Sequence, residues 1–431
     1  MRCLSWFVAL ALSSTIWTPA ASALHATSAP AARLEELLRE ALAGNPNILA
    51  ARKRLEAAQA RIPLAKGLPA PRIGIEFEEI PRGSIKLNQA TLMYQLIQSL
   101  PFPGKLSARH QVAVKEAQQA AMTFKQAEWD VVSQVKAVYY DLFLIDRERE
   151  LREEELVWLM QAVGVAQARY ATGAVEQADV LRLQAEELEA ANELAVLDQR
   201  RQAMNAHLNH LLNRPAHHET GHPGAVRLAP LTFSPEELFL IAMERQPELL
   251  AFRFSAERGE AAWKLAKREL LPDLETMVEL RDPAIGPFGP WDLTLAMALP
   301  FWFWTKWRYG VKVALYDRDS AAAAYQSMSN EIQKRVHEHW HEAQAAYLTA
   351  RLCQDGLIHL SDQAVGSAMA AYQGGRGSFM NLLDALNALS ERKRTYYQHL
   401  VAYEQHVAML EEAAGIALRP AHEVPSTGGA P

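Results

Sequence analysis

The sequence has 431 residues, which is enough for one large domain or two modest ones. Its formal net charge is −6 at pH 7, and it has no basic stripe of the kind that nucleic-acid-binding proteins carry, so we expect no nucleic-acid partner. After the first residues there is no run of about 20 apolar residues, which excludes membrane-spanning helices. The remaining classes are a β-barrel membrane protein and a soluble periplasmic protein.

The N-terminus has the pattern of a secretory signal. Arg2 precedes the apolar run Leu4–Ile16, and Ala21-Ser22-Ala23 provides a cleavage site of small residues. The apolar run is shorter than a transmembrane helix requires. We therefore predict a signal peptide at residues 1–23 and an exported mature chain.

The mature chain repeats itself, because residues 34–77 align with residues 235–278 at a constant offset. The identical pairs include Pro46 and Pro247, Ala50 and Ala251, Arg52 and Arg253, Ala60 and Ala261, and Pro71 and Pro272. A long repeat predicts two similar structural units. The predicted boundaries are 24–214 for the first repeat, 215–233 for a linker, 234–418 for the second repeat and 419–431 for a disordered tail.

Each unit is predicted to begin with helices and to continue with a β-hairpin. The prolines of Asn45-Pro46 and Gln246-Pro247 predict a short helix before a longer one, because proline cannot continue a helix interior. Alternating apolar and polar residues then predict two strands in each unit. The predicted strands are 72–80 and 90–99 in the first unit and 274–281 and 291–299 in the second. Strands of about nine or ten residues are suited to a tilted passage through a bilayer.

Long helical hairpins are predicted after the strands. Proline is absent from residues 104–214 and 301–419, and each stretch is interrupted once by glycine, at Gly173 and at Gly374–Gly377. These stretches predict arms of roughly 40–60 residues, or some 60–90 Å at about 1.5 Å per residue, that pack as coiled coils. Four strands cannot close a barrel, so a membrane-spanning form requires several copies of the chain.

Short motifs occur in both halves at matching places. They are Asn45-Pro46 and Gln246-Pro247, Leu100-Pro101-Phe102 and Leu299-Pro300-Phe301, and the tip sequences that begin at Tyr170 and Tyr372. In this order they resemble the TolC-like outer-membrane efflux protein family over nearly the whole mature chain. The resemblance implies a mainly α fold with a small β part. In it, three chains form a twelve-stranded β-barrel in outer-membrane lipid and an α-helical barrel in the periplasm.

The resemblance also implies a function. Such a homotrimer is the passive exit duct of a tripartite efflux system for small toxic solutes or metal cations. It docks through a periplasmic adaptor (membrane-fusion) protein to an inner-membrane pump. The energy would come from that pump, because the chain has no phosphate-binding loop, and we expect no cofactor and no enzymatic activity.

The family's periplasmic entrance lies at the hairpin tips, where acidic side chains narrow the pore. By motif position, Asp179 lies at the first tip and Tyr372 at a latch position, while Asn381 and Asp384 lie at constriction positions of the second tip. An alternative interpretation is that Asp179 and Asp384 only cap the helices that restart after the turns.

The tips depart from the family pattern in two places. Asn381 stands where an aspartate is frequent, and Gly377 stands where a latch arginine can stand. The neighbouring Arg376 is a candidate replacement for that arginine.

Two histidine-rich segments are weaker candidates for metal sites. His337-Glu338-His339-Trp340-His341 matches H-E-x-x-H, in which His337 and His341 would bind zinc and Glu338 would act as a general base. Its counterpart in the first repeat is Lys136–Tyr140, and a catalytic zinc needs a third ligand, so a helix face is favoured. The linker contains His217, His218 and His222, for which a polar linker without metal is favoured.

Three alternatives to the efflux duct remain open at this point. The chain can be the exit duct of a type I protein-secretion system, which shares the same architecture. It can be a periplasmic coiled-coil protein without a pore. It can also be a zinc hydrolase that uses His337, Glu338 and His341.

Overall fold

The computed structural model describes residues 33–78, 91–173, 175–282, 290–297, 303–374 and 376–418. The predicted signal peptide, the C-terminal tail and the turns of both β-hairpins lie outside these residues. In the described part the chain is mainly helical with a small sheet, as predicted.

The elements follow one order twice. The first series is α1 (Leu34–Gly44), α2 (Pro46–Lys66), β1 (Arg72–Glu78), β2 (Thr91–Leu100), α3 (Lys105–Ala171) and α4 (Gln177–Leu211). The second is α5 (Pro235–Arg245), α6 (Pro247–Arg268), β3 (Leu274–Asp282), β4 (Trp291–Met297), α7 (Phe303–Leu352), α8 (Ile358–Gln373) and α9 (Phe379–Ala414). A π-helical turn, Cys353–Leu357, joins α7 to α8 without interrupting the rod.

The polar residue before each proline caps the helix that the proline begins. The Asn45 side chain accepts a hydrogen bond from the Asn47 amide at 2.8 Å, and Gln246 accepts one from the Leu249 amide. Both polar side chains are buried, and Asn45 also donates to the Leu211 carbonyl at 2.9 Å. Capping and proline together explain why both units contain a short helix followed by a longer one.

The four strands form one antiparallel sheet in the order β1-β2-β3-β4. Ile73 lies opposite Leu96, Leu96 opposite Val278, and Val278 opposite Leu293, so apolar side chains form rows across the sheet. These four side chains are exposed in the single chain. Because side chains alternate between faces, the other face carries mainly polar side chains, with apolar members that include Ile97 and Met277.

The polar face of the sheet is joined by side-chain contacts between strands. The Gln95 amide donates to Glu279 at 2.9 Å and also to Glu76. Arg72 on β1 lies 3.3 Å from Glu275 on β3. One exposed apolar face and one polar face are the pattern of a sheet placed between lipid and water.

The helical rods are longer in one direction than in the other. α3 has 67 residues, or about 100 Å at about 1.5 Å per residue, whereas α4 and α9 have 35 and 36 residues. The predicted range of roughly 40–60 residues per arm was therefore wrong for these helices, because α3 is longer and α4 and α9 are shorter. α3 and the rod of α7 and α8 run from the sheet to the tips. α4 and α9 run back from the tips and end beside α1 and α5, where their last residues join the core. No helix in the described part is long and apolar enough to cross a membrane.

The segment between the two units is fixed to both of them. The Tyr139 hydroxyl on α3 accepts a hydrogen bond from the Gly224 amide at 2.9 Å. The Trp340 indole on α7 donates to the Phe233 carbonyl, also at 2.9 Å. These two aromatic residues occupy matching positions in the two units, so equivalent points on the two rods hold the middle and the end of the linker.

Candidate functional site: the hairpin tips

Each tip is a short turn between two helices. At the first tip, Gly173 has φ of 74°, a left-handed conformation that favours glycine. At the second tip, the amides of Arg376 and Gly377 both donate to the Ala371 carbonyl at 3.0 Å. The Ser378 hydroxyl then caps α9 by accepting from the Asn381 amide at 3.2 Å.

The two tips pack against each other. Leu183 on α4 and Leu383 on α9 are buried in one apolar cluster, together with residues near the end of α3. A cavity of about 460 Å³ lies between the tips, and its lining includes Asp179 from the first tip and Tyr372 from the second. The structure thus brings together two of the residues that the sequence placed at the entrance.

Tyr372 is held by contacts from both tips. The Arg169 guanidinium at the end of α3 lies 4.6 Å from the centre of the Tyr372 ring. The Phe379 ring meets the same ring edge-on at 5.6 Å. The Tyr372 hydroxyl is buried and has no hydrogen-bond partner in the described part of the chain. Sequence reasoning missed Arg169, because the contact depends on how two hairpins pack.

Asn381 and Asp384 lie one helical turn apart on α9, and both side chains are exposed. The neighbouring Leu382 and Leu383 are buried, so the polar pair faces away from the chain's own core. Asp384 lies beyond the first turn of α9, whose cap is Ser378. The alternative interpretation of Asp384 as a helix cap is therefore wrong.

Asp179 and Arg376 have different surroundings. Asp179 is half-buried in the first turn of α4, where a carboxylate interacts favourably with the helix dipole. Arg376 is exposed, and among the described residues its side chain makes no hydrogen bond or ion pair. The structure places Arg169, and not Arg376, against Tyr372.

The histidines predicted as metal ligands, His337 and His341 on α7 and His217, His218 and His222 in the linker, belong to no group of three ligands in the described residues. The rings of His337 and His341 stack with centres 6.4 Å apart, and Glu338 is exposed. In the linker, Nδ1 of His222 lies 2.8 Å from the Asp146 carboxylate. His217 and His218 are exposed, and their side chains form no ion pair among the described residues.

A different histidine group is present, formed by His339, Glu342 and His406. His339 lies inside the sequence motif, but His406 comes from the other arm of the hairpin. The sequence signal for this group was the spacing of His339 and Glu342, three positions apart on one helix, which places both side chains on the same face. The third ligand could not be found without knowing how α7 and α9 align.

Comparison with known proteins gives one family. The model of the family described as outer membrane efflux protein matches residues 37–214 and 240–416. A curated relative, the cobalt-zinc-cadmium resistance protein CzcC of Cupriavidus metallidurans, is 21% identical over 367 residues, which cover 84% of this chain and 85% of the relative.

Solved structures share the fold. The outer membrane protein VceC of Vibrio cholerae has a TM-score of 0.75 and 18% identity, covering 90% of this chain and 97% of that one. The open state of the MtrE outer membrane channel of Neisseria gonorrhoeae has a TM-score of 0.76 and 16% identity, covering 90% of each chain.

Proposed function

Because the chain belongs to the outer membrane efflux protein family, we propose that three copies of it form the exit duct of a tripartite assembly that removes metal cations. The protein is an outer-membrane efflux channel whose helical part lies in the periplasm. Membership of this family leaves no support for a coiled coil without a pore, and its members are channels and not hydrolases.

The observation that carries the proposal is the open four-stranded sheet. The strands β1 and β4 are at its edges, and one face carries exposed apolar side chains such as Ile73, Leu96 and Leu293. Open edges in lipid leave backbone groups without partners, so neighbouring copies must cover them. Three copies would supply twelve strands, which is within the range of outer-membrane barrels.

The proposed entrance is at the hairpin tips. Asp384 and Asn381 are exposed on α9 and point away from the apolar packing of their own chain. In a closed ring of three chains, equivalent Asp384 carboxylates would concentrate negative potential and favour cations. Asp179 contributes a further carboxylate from the first tip.

The proposed latch is the contact between Arg169 and Tyr372. A guanidinium over an aromatic ring contributes about 0.5–1 kcal/mol at an exposed site and more when water is excluded. The contact joins α3 of one hairpin to α8 of the other, so opening the tips would break it. Arg376, which is exposed beside it, is available to a neighbouring chain as a second latch.

The proposed cargo and partners follow from the relative and from the chemistry of a duct. CzcC is named for resistance to cobalt, zinc and cadmium, and an acidic entrance suits such cations. A duct supplies no energy of its own, so we infer an inner-membrane pump and a periplasmic adaptor that docks at the tips. Small toxic solutes and secreted proteins are the alternative cargoes.

The first test is the ion selectivity of single channels of the mature protein in a planar bilayer. Asp384→Asn removes the charge but keeps the size of the side chain. We expect the preference for cations over anions to fall about twofold or more. Asp317→Asn is the matched control, because Asp317 is an exposed carboxylate on α7, far from the tips.

Unchanged selectivity in Asp384→Asn would leave the channel in place but remove Asp384 from the entrance. An equal fall in both variants would assign the preference to general surface charge. For the cargo, a strain that lacks the gene should accumulate zinc or cobalt, and a loss of secreted protein without metal sensitivity would favour the secretion duct.

A further inference from the structure

A cluster of potential metal ligands lies between α7 and α9, outside the tips. Glu342 and His339 are on α7, one turn apart, and His406 is on α9. The Glu342 Oε2 atom lies 3.5 Å from Nδ1 of His339 and 3.1 Å from Nδ1 of His406. The two imidazole rings are 5.8 Å apart between their centres, and one ligand atom from each residue lies within 4.8 Å of the others.

We propose that His339, Glu342 and His406 bind one divalent cation of the zinc class and thereby tie α7 to α9. A tetrahedral zinc ion with bonds of about 2.0–2.2 Å places neighbouring ligand atoms about 3.4 Å apart. The two distances from Glu342 already match that spacing. Small rotations of the imidazole rings would bring the remaining pair together.

The hydrogen bonding of the cluster supports the proposed cation site. Nδ1 of His339 and Nδ1 of His406 are both buried, and apart from their close approach to the Glu342 carboxylate neither makes a hydrogen bond in the described part of the chain. Buried polar atoms are nearly always paired, and an unpaired one needs an explanation such as an ion. Here two such nitrogens converge on one carboxylate, which is the arrangement that a shared cation would satisfy.

The backbone around the cluster is fixed by packing. Ala343 follows Glu342 and is fully buried, and Val407 follows His406 and is 3% exposed, both in the core between α7 and α9. Ligands on two packed helices are held more accurately than ligands on loops. The ion would therefore bind to a largely preformed site.

The ligand set indicates which ions fit. Two imidazoles and one carboxylate suit zinc, cobalt, nickel or copper, whereas magnesium and calcium prefer oxygen ligands alone. The Glu342 side chain is 47% exposed, so the site is open to solvent and a water molecule can complete the coordination. These features predict an exchangeable ion and not a permanently enclosed one.

This site does not depend on metal being the cargo of the duct. It is on the middle of the hairpin, whereas the proposed entrance is at the tips. It also differs from the zinc site predicted from the H-E-x-x-H motif, because its ligand on this segment is His339 and not His337 or His341.

The test is metal binding by the detergent-extracted mature protein, purified with an affinity tag that contains no histidine. After treatment with a chelator, the protein is titrated with Co²⁺, followed by visible absorption, and with Zn²⁺, followed by calorimetry. We expect one ion per chain. His339→Gln and His406→Gln should each weaken binding by at least about tenfold, since even residues that only support ligands cost 10–100-fold.

The matched control is the double variant His337→Gln/His341→Gln, which removes two histidines from the same helix but no proposed ligand. It should bind as tightly as the unaltered chain. Circular dichroism and elution volume would identify any variant that fails to fold, and Glu342→Gln provides a third, independent variant. The proposal is overturned if the unaltered chain does not bind, or if the control loses binding as much as the ligand variants.

Discussion

Lys136 and Glu411 form an ion pair in the core, and each side chain is only 2% exposed. Lys136 is on α3 and Glu411 on α9, so the pair joins the first repeat to the second. Removing one partner of a buried pair leaves an uncompensated charge, which costs about 3–5 kcal/mol. We predict that Lys136→Met destabilises the chain by that amount in thermal unfolding followed by circular dichroism.

Two further variants make this prediction specific. Lys136→Met/Glu411→Gln removes both charges but keeps an acceptor for the Leu418 amide, and it should recover most of the loss. Lys393→Met removes one partner of the more exposed pair with Glu154, which should cost less than about 1 kcal/mol. Equal losses in Lys136→Met and Lys393→Met would show that burial of the pair is unimportant.

Glu412 lies near two other acids, Asp130 and Glu248, and near Arg335. Burial is the main cause that raises the pKa of the Glu412 carboxyl above its usual 4.5, and the nearby acids raise it further. The pKa of Glu412 is higher in the folded chain than in the unfolded chain. The ionised carboxylate therefore lowers the free energy of unfolding when the pH is above the folded pKa. This destabilisation disappears as the pH falls below 4.5, where the carboxyl is protonated in both the folded and the unfolded chain.

We therefore predict that Glu412→Gln stabilises the chain at neutral pH and that the gain vanishes in acid. The measurement is the melting temperature as a function of pH for both proteins. A gain that is independent of pH would mean that packing, and not charge, is responsible.

At the scale of elements, much of the fold could be predicted because nearby residues determine where helices and strands begin and end. Proline ends or begins a helix regardless of distant contacts, so the divisions at Pro46 and Pro247 were predicted correctly. Alternation alone predicted all four strands, and the predicted ends 79–80, 90 and 298–299 lie outside the described residues. The lengths of the helical arms were predicted less well, since the range of roughly 40–60 residues is exceeded by the 67 residues of α3 and not reached by the 35 and 36 residues of α4 and α9.

The two faces of the sheet give a prediction for a pair of adjacent residues. Leu295 is on the apolar face of β4 and Thr294 is on the polar face. Arginine on the lipid side of a barrel costs about 2–4 kcal/mol near the middle of the membrane, whereas a position on the water side tolerates charge. We expect Leu295→Arg to reduce the amount of assembled protein in the outer membrane and Thr294→Arg to leave it nearly unchanged.

The assay is the fraction of protein in membrane extracts that runs as an unheated oligomer on gels. Equal loss in both variants would contradict the assignment of faces. A larger loss in Thr294→Arg would reverse it.

At the scale of the whole molecule, the sites depend on how distant helices align. The contact of Arg169 with Tyr372 joins two hairpins, and the cluster of His339 with His406 joins two arms of one hairpin. Local patterns predict helices but not the alignment between them, so sequence reasoning chose His337 and His341 instead. The tip residues were found only through a family resemblance.

The closure of the sheet by neighbouring copies gives the last prediction. In a ring, β4 of one chain meets β1 of the next, so the two contacting edges differ. Glu76 on β1 and Thr294 on β4 are exposed on the polar face. We predict that a chain with Glu76→Cys and Thr294→Cys, treated with a flexible thiol cross-linker, gives covalent dimers and trimers and nothing larger. Cys353 is 1% exposed and would be replaced by alanine.

Each single-cysteine variant is the control for this experiment. Because a ring never places β1 against β1, Glu76→Cys alone should give only monomers, and so should Thr294→Cys alone. Dimers from a single variant would indicate a two-fold contact between like edges, which cannot close a ring of three. Products larger than trimers would likewise contradict a barrel of twelve strands, since each added chain contributes four more strands to the wall.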